Sequence, residues 1–77
     1  PYTIQLYPNP TKGKIFISGL EELQGIELKL YTILGQLMET KPLSGHQELD
    51  IQHLPAGIYI LEIWSEEQSY KSLIMKD

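Results

Sequence analysis

The chain has 77 residues, no cysteine, and a formal charge of −4 from six lysines against ten acidic residues, with no arginine. One small domain follows, held by packing alone; the absent cysteines remove disulfides and thiolate metal sites, and the sparse basic charge argues against a nucleic-acid surface. No apolar run approaches the roughly 20 residues of a membrane helix and no signal-peptide pattern opens the chain. Because it starts at Pro1 instead of Met, it is expected to be a piece of a longer protein with any export signal upstream.

Tyr2, Ile4 and Leu6 alternate with Thr3, Gln5 and Tyr7, the period of a strand with one apolar face. Pro8-Asn9-Pro10-Thr11-Lys12-Gly13 stops that strand, since prolines and a glycine so close together disfavour a regular ladder. Turn chemistry explains the segment, with the prolines setting φ and Asn9 bonding its own backbone. Lys14–Ser18 is a second short strand, and Gly19, Glu21, Glu22 and Gly25 mark an exposed connection in which Leu20–Leu23 has room for one helical turn at most. Ile26, Leu28 and Leu30 alternate with Glu27, Lys29 and Tyr31, a strand with one apolar and one mostly polar face. Thr32-Ile33-Leu34-Gly35-Gln36 reads as a hairpin turn. The strand from Leu37 to Leu43 contains Pro42, which limits pairing and suggests an edge position. Ser44-Gly45-His46 turns again, Glu48–Ile51 is a brief strand, Gly57–Ser65 a long one, and Glu66-Glu67-Gln68 a polar turn into a last strand, Ser69–Lys76.

About seven short strands with frequent turn signals, and no sustained helical period, predict an all-β antiparallel sandwich. Its sharpest local feature is Leu54-Pro55-Ala56-Gly57-Ile58-Tyr59, where a proline-fixed turn feeds a strand of large apolar residues. A tyrosine so placed is expected to bond its hydroxyl to backbone a few residues upstream, pinning a structural corner made of Leu54, Pro55, Gly57 and Tyr59. Tyr59, Leu61 and Ile63 should face the core, with Ile58, Ile60 and Trp64 on a second face that is too apolar for solvent, so that it is either covered, the expectation preferred in so small a domain, or in part a docking surface. In the last strand Leu73 and Met75 alternate with Ile74 between Lys71 and Lys76, lysines that protect an edge from aggregation.

Chemistry is scarce. His46 and His53 fall in separate turns without metal-ligand spacing, the acidic pairs sit on turns, and no nucleophile has a base nearby, so no catalytic, metal or cofactor residue is expected.

In order and spacing, Tyr7-Pro8-Asn9-Pro10-Thr11 with Gly13, Leu30-Tyr31 with Leu34-Gly35-Gln36-Leu37, Leu54-Pro55-Ala56-Gly57-Ile58-Tyr59, and Lys71-Ser72-Leu73-Ile74-Met75-Lys76 resemble the C-terminal sorting domain of the Bacteroidetes type IX (Por) secretion system. The likeness covers essentially the whole chain, departing at the last hairpin, Glu66-Glu67-Gln68, and at the terminal Asp77. It implies an immunoglobulin-like sandwich over residues 1–77, attached behind an exported cargo domain. On this resemblance the domain is a non-enzymatic address: it passes through the periplasm, engages the outer-membrane translocon, and is removed by a sortase-like peptidase as the cargo reaches the cell surface or the medium. The residues the translocon would read are then Pro8, Asn9, Pro10, Gly13, Gly35, Gln36, Lys71 and Lys76, the last strand and its lysines meeting an acidic or strand-accepting receptor groove. Edge strands also pair between copies, so a weak homodimer is a further expectation. The alternative is an immunoglobulin-like binding or spacer module of an extracellular enzyme, whose sugar platform would need Trp64 with Tyr31 or Tyr70.

Overall fold

The computed structural model describes residues 4–21, 23–43, 47–66 and 68–77. Seven strands run as β1 Gln5–Tyr7, β2 Lys14–Ser18, β3 Glu27–Thr32, β4 Leu37–Pro42, β5 Gln47–Asp50, β6 Gly57–Trp64 and β7 Ser69–Lys76. Every expected strand is present with ends within a residue or two, apart from the first, where Ile4 stands outside the strand and Tyr2 and Thr3 precede it. Those two residues, the Ser44–His46 turn, Glu22 and Glu67 lie outside the described residues. Among the described residues there is no helix; the Leu23 N–H donates to the Leu20 carbonyl at 3.0 Å.

All strand pairings are antiparallel, in a three-stranded sheet β1-β2-β5 and a four-stranded sheet β4-β3-β6-β7. The order is that of an immunoglobulin-like sandwich, with β1, β2 and β5 as strands A, B and E facing β3, β6 and β7 as C, F and G, and β4 beside C. The Pro42 strand is an edge, as its sequence suggests, and β7 is the other edge of that sheet.

Alternation within the strands makes the core. Ile15 and Ile17 of β2 with Leu49 of β5 face Leu28 and Leu30 of β3, Tyr59, Leu61 and Ile63 of β6, and Ile74 of β7, all buried. Leu20, Leu23, Ile26 and Leu43 belong to the same cluster, as do Ile51 and Leu54.

Antiparallel connectivity distributes the loops between two poles. Tyr7 pairs with Phe16, Thr32 with Tyr59, and Gly57 with Lys76, so the 8–13 loop, the 33–36 turn, the 51–56 corner and the end of β7 share one pole. Gln5 pairs with Ser18 and Trp64 with Ser69, so the chain enters the sandwich at the opposite pole, beside the β6–β7 turn. An odd number of antiparallel strands requires this separation of the two ends.

Candidate recognition surface

The corner is built as its residues suggest. Asp50 accepts the Gln52 N–H at 2.9 Å, the Leu54 N–H closes a turn on Ile51, and the Tyr59 hydroxyl donates to the Pro55 carbonyl at 2.6 Å. Gly57 has φ +156°, a conformation L side chains rarely adopt, which lets the chain leave the turn directly into β6. Lys76 joins the corner as well, its ammonium donating to the Leu54 carbonyl at 2.6 Å and to Gln52 at 3.3 Å. The corner and the last strand are thus fastened to each other.

The 8–13 loop is fastened to the same place by a different route. Thr11 is only 1% exposed; its hydroxyl donates to the Lys14 carbonyl and accepts the Gly13 N–H, closing the loop on itself. A Cβ on Gly13 would stand 2.4 Å from Gln52 Cγ, so this close approach, and not a left-handed backbone, accounts for that glycine. Asn9 corrects the expectation that it bonds its own backbone. Its amide nitrogen donates to the Leu73 carbonyl at 3.0 Å and its amide oxygen accepts the Met75 N–H at 2.9 Å, both on β7. Thr11 continues that pairing as a parallel bridge, donating to the Met75 carbonyl and accepting the Asp77 N–H. The reason is topological: the loop runs along the free edge of β7, whose unpaired peptide groups are better partners than the loop's own.

In the β3–β4 turn the Gly35 N–H donates to Thr32, the Thr32 N–H to Gln36, and the Gln36 N–H to the Thr32 hydroxyl at 3.1 Å. Gly35 at φ +95° makes the reversal with open space around it. This rigid turn holds out Ile33 and Leu34, and Leu34 is 94% exposed. Two aliphatic side chains at turn positions that favour polar residues are the signal a reading for turn chemistry alone passes over.

Of the two alternatives for the second face of the four-stranded sheet, cover or a docking surface, cover is not what forms over most of it: Ile60 is half-buried, and the rest of its aliphatic side chains are exposed. Ile58 and Trp64 are exposed, with Leu37, Leu73 and Met75 beside them. The 8–13 loop reaches this face, where Asn9 and Pro10 wall a shallow groove of about 260 Å³ against Ile58, Leu73 and Met75. Register orders the face in rows: Ile58 with Met75 nearest the C-terminal pole, then Leu37, Tyr31, Ile60, Leu73, behind it a polar row Thr40, Lys29, Glu62, Lys71, and last Pro42, Glu27, Trp64, Ser69.

Glu62 organises the polar row. Partial burial by itself would raise its carboxyl, but the hydrogen bonds from Trp64, Tyr31 and Lys71, with the charge of Lys71, hold it below the usual carboxylate value. The Trp64 indole N–H donates to it at 3.2 Å and the Lys71 ammonium lies at 3.4 Å. The Tyr31 hydroxyl is pushed up, by burial first and then by the Glu62 hydrogen bond and charge. Neither aromatic platform forms: Tyr70 pairs with Ile63 and packs toward the core, opposite to Trp64, while Tyr31 and Trp64 are separated by the Glu62 row.

Pro8, Asn9, Pro10, Gly13, Gly35, Gln36 and Lys76 are therefore brought to one pole, together with the corner residues Leu54, Pro55 and Gly57. Lys71 is not among them; it lies five residues before Lys76 in β7, against Glu62. Among the described residues no three His, Cys, Asp or Glu side chains gather at metal-binding distance, and no helix is long and apolar enough to cross a membrane.

The family model described as the secretion system C-terminal sorting domain matches residues 5–76. The chain belongs to this family. It is a type IX sorting domain, a signal that serves a cargo on its N-terminal side, works with the secretion machinery, and directs export toward the cell surface or the medium. The family is one of sorting signals, not of enzymes. No curated protein matches the chain.

Proposed function

We propose that residues 1–77 form the single C-terminal domain of a larger exported protein and that its C-terminal pole is the face the outer-membrane translocon reads. The observation that carries this is the convergence of four separate sequence segments, the 8–13 loop, the 33–36 turn, the 51–56 corner and the end of β7, on the pole opposite the one where the chain enters. A folded cargo joined at the entry pole leaves the reading face clear. The same pole carries Ile33 and Leu34 side by side, both exposed and with no part in the core, and contiguous exposed apolar surface marks interaction sites. Pro8, Asn9, Pro10, Gly13, Gly35 and Gln36 shape the surface, Lys76 locks the corner to it, and Lys71 supplies charge on the flank. The cargo crosses the periplasm with the domain attached, and a sortase-like peptidase then removes the domain upstream of β1.

The test fuses residues 1–77, with a native linker and a signal peptide, to a fluorescent reporter in a Bacteroidetes host. Reporter at the surface or in the medium, lost when the translocon is deleted, supports the reading. Strictly periplasmic reporter overturns it.

A further inference from the structure

An edge strand offers the N–H and C=O groups of every second residue to any extended segment that comes alongside. On β7 those residues are the odd-numbered ones, because the bonds from Asn9 and Thr11 fall on the Leu73 carbonyl, both Met75 groups and the Asp77 N–H. Thr11 meets two of these four groups with its own main chain, as a parallel strand would. Asn9 meets the other two with its side-chain amide, which carries one carbonyl acceptor and an NH₂ donor and so imitates a peptide unit. The 9–11 segment acts as a surrogate strand along the end of β7, while among the described residues no backbone partner falls on the outward groups of Ser69 and Lys71 or on the Leu73 N–H.

The surrogate is unequally held. Its root, Thr11, is buried and tied to Gly13 and Lys14, whereas its tip, Asn9, is exposed and attached through a side chain that water can reach. We propose that this segment is a displaceable clasp. It blocks strand addition on the C-terminal half of β7, and an incoming extended segment of a partner displaces it, pairing first with Ser69–Leu73 and then replacing Asn9. The occupant is an extended peptide with apolar side chains at alternate positions, since its outer face would lie beside the exposed Leu73 and Met75. The inference stands independently of which machinery reads the pole.

The test uses the chain itself, a second copy's β7 serving as the incoming strand. Asn9→Ala removes the acceptor of the Met75 N–H and the donor to Leu73, and hydrogen exchange at Met75 should accelerate about tenfold or more. By sedimentation the variant should dimerise at concentrations where the wild type is monomeric. Adding Leu73→Pro should restore the monomer, because that N–H points away from β6 and its loss leaves the β6–β7 ladder intact. If Asn9→Ala does not fold, Asn9→Asp keeps the acceptor for Met75 but sets a carboxylate oxygen against the Leu73 carbonyl, and it should dimerise to an intermediate degree. A variant that exchanges faster yet stays monomeric, a wild type that dimerises equally, a dimer that survives Leu73→Pro, or an Asn9→Asp variant like the wild type would each overturn the clasp.

Discussion

Replacing Tyr59 by Phe removes one donor and leaves the ring in the core, where the residue is 6% exposed. The hydroxyl donates to Pro55 at 2.6 Å, and Pro55 is itself exposed, so its carbonyl recovers water in the variant. The loss is then that of an ordinary hydrogen bond, about 1 kcal/mol, and not the larger penalty of a stranded buried group. With an unfolding entropy of ~2 cal/mol/K per residue, the chain should lose roughly 6 °C in Tm. Thermal unfolding followed by circular dichroism measures this directly. A second arm uses Lys76→Met, since Lys76 holds the same corner through Leu54 and Gln52. Two fastenings of one corner should be coupled, so the double variant should lose less than the sum of the single ones. An unchanged Tm for Tyr59→Phe, or strict additivity, would refute the view that this hydroxyl sets the corner.

Thr11→Val keeps the shape of a residue that is 1% exposed but strips the partner from the Gly13 N–H and the Lys14 carbonyl, so denaturant unfolding should show a loss of about 1–3 kcal/mol. Gly35→Ala meets no neighbour, yet it forces a side chain to φ +95°; a loss of roughly 1–2 kcal/mol is expected, and a neutral result would show that the turn relaxes. Because the Glu62 carboxyl lies lower in the folded chain than in the unfolded one, its contribution is complete above the unfolded carboxylate value and disappears as pH falls through the folded one. Glu62→Gln should therefore flatten the acid decline of Tm below about pH 4.5, and parallel Tm–pH curves for the two proteins would contradict the assignment.

Most of the strands were legible because they alternate, whereas β4, Leu-Met-Glu-Thr-Lys-Pro, was legible only from its flanking turns and Pro42. Ile26, Leu28 and Leu30 against Glu27, Lys29 and Tyr31 fix a strand and its buried face without further information. The corner was legible for the same local reason, as the proline, the glycine and the tyrosine act within five residues of one another. Asn9 was misread because its partners lie 64 and 66 residues away, and no pattern near the loop reveals which edge it meets. Cover of the outer face could not be read because it depends on where loops run; here they collect at the poles and leave Ile58 and Trp64 partly exposed. Tyr70 and Trp64 are both aromatic and close in sequence, but a hairpin register places them on opposite faces.

Deleting the last ten residues tests the sorting account poorly, since it takes away a whole strand and the buried Ile74, and a misfolded domain would also strand its cargo. The most direct measurement is surface localisation of a reporter fused to the chain carrying Ile33→Ser and Leu34→Ser. Both side chains are exposed, Leu34 at 94%, so the variant should keep the wild-type Tm. If the C-terminal pole is the face that is read, reporter at the surface should fall tenfold or more, the order expected on losing a buried apolar anchor of about 2 kcal/mol. A variant that remains folded and is delivered as efficiently as the wild type would contradict the account.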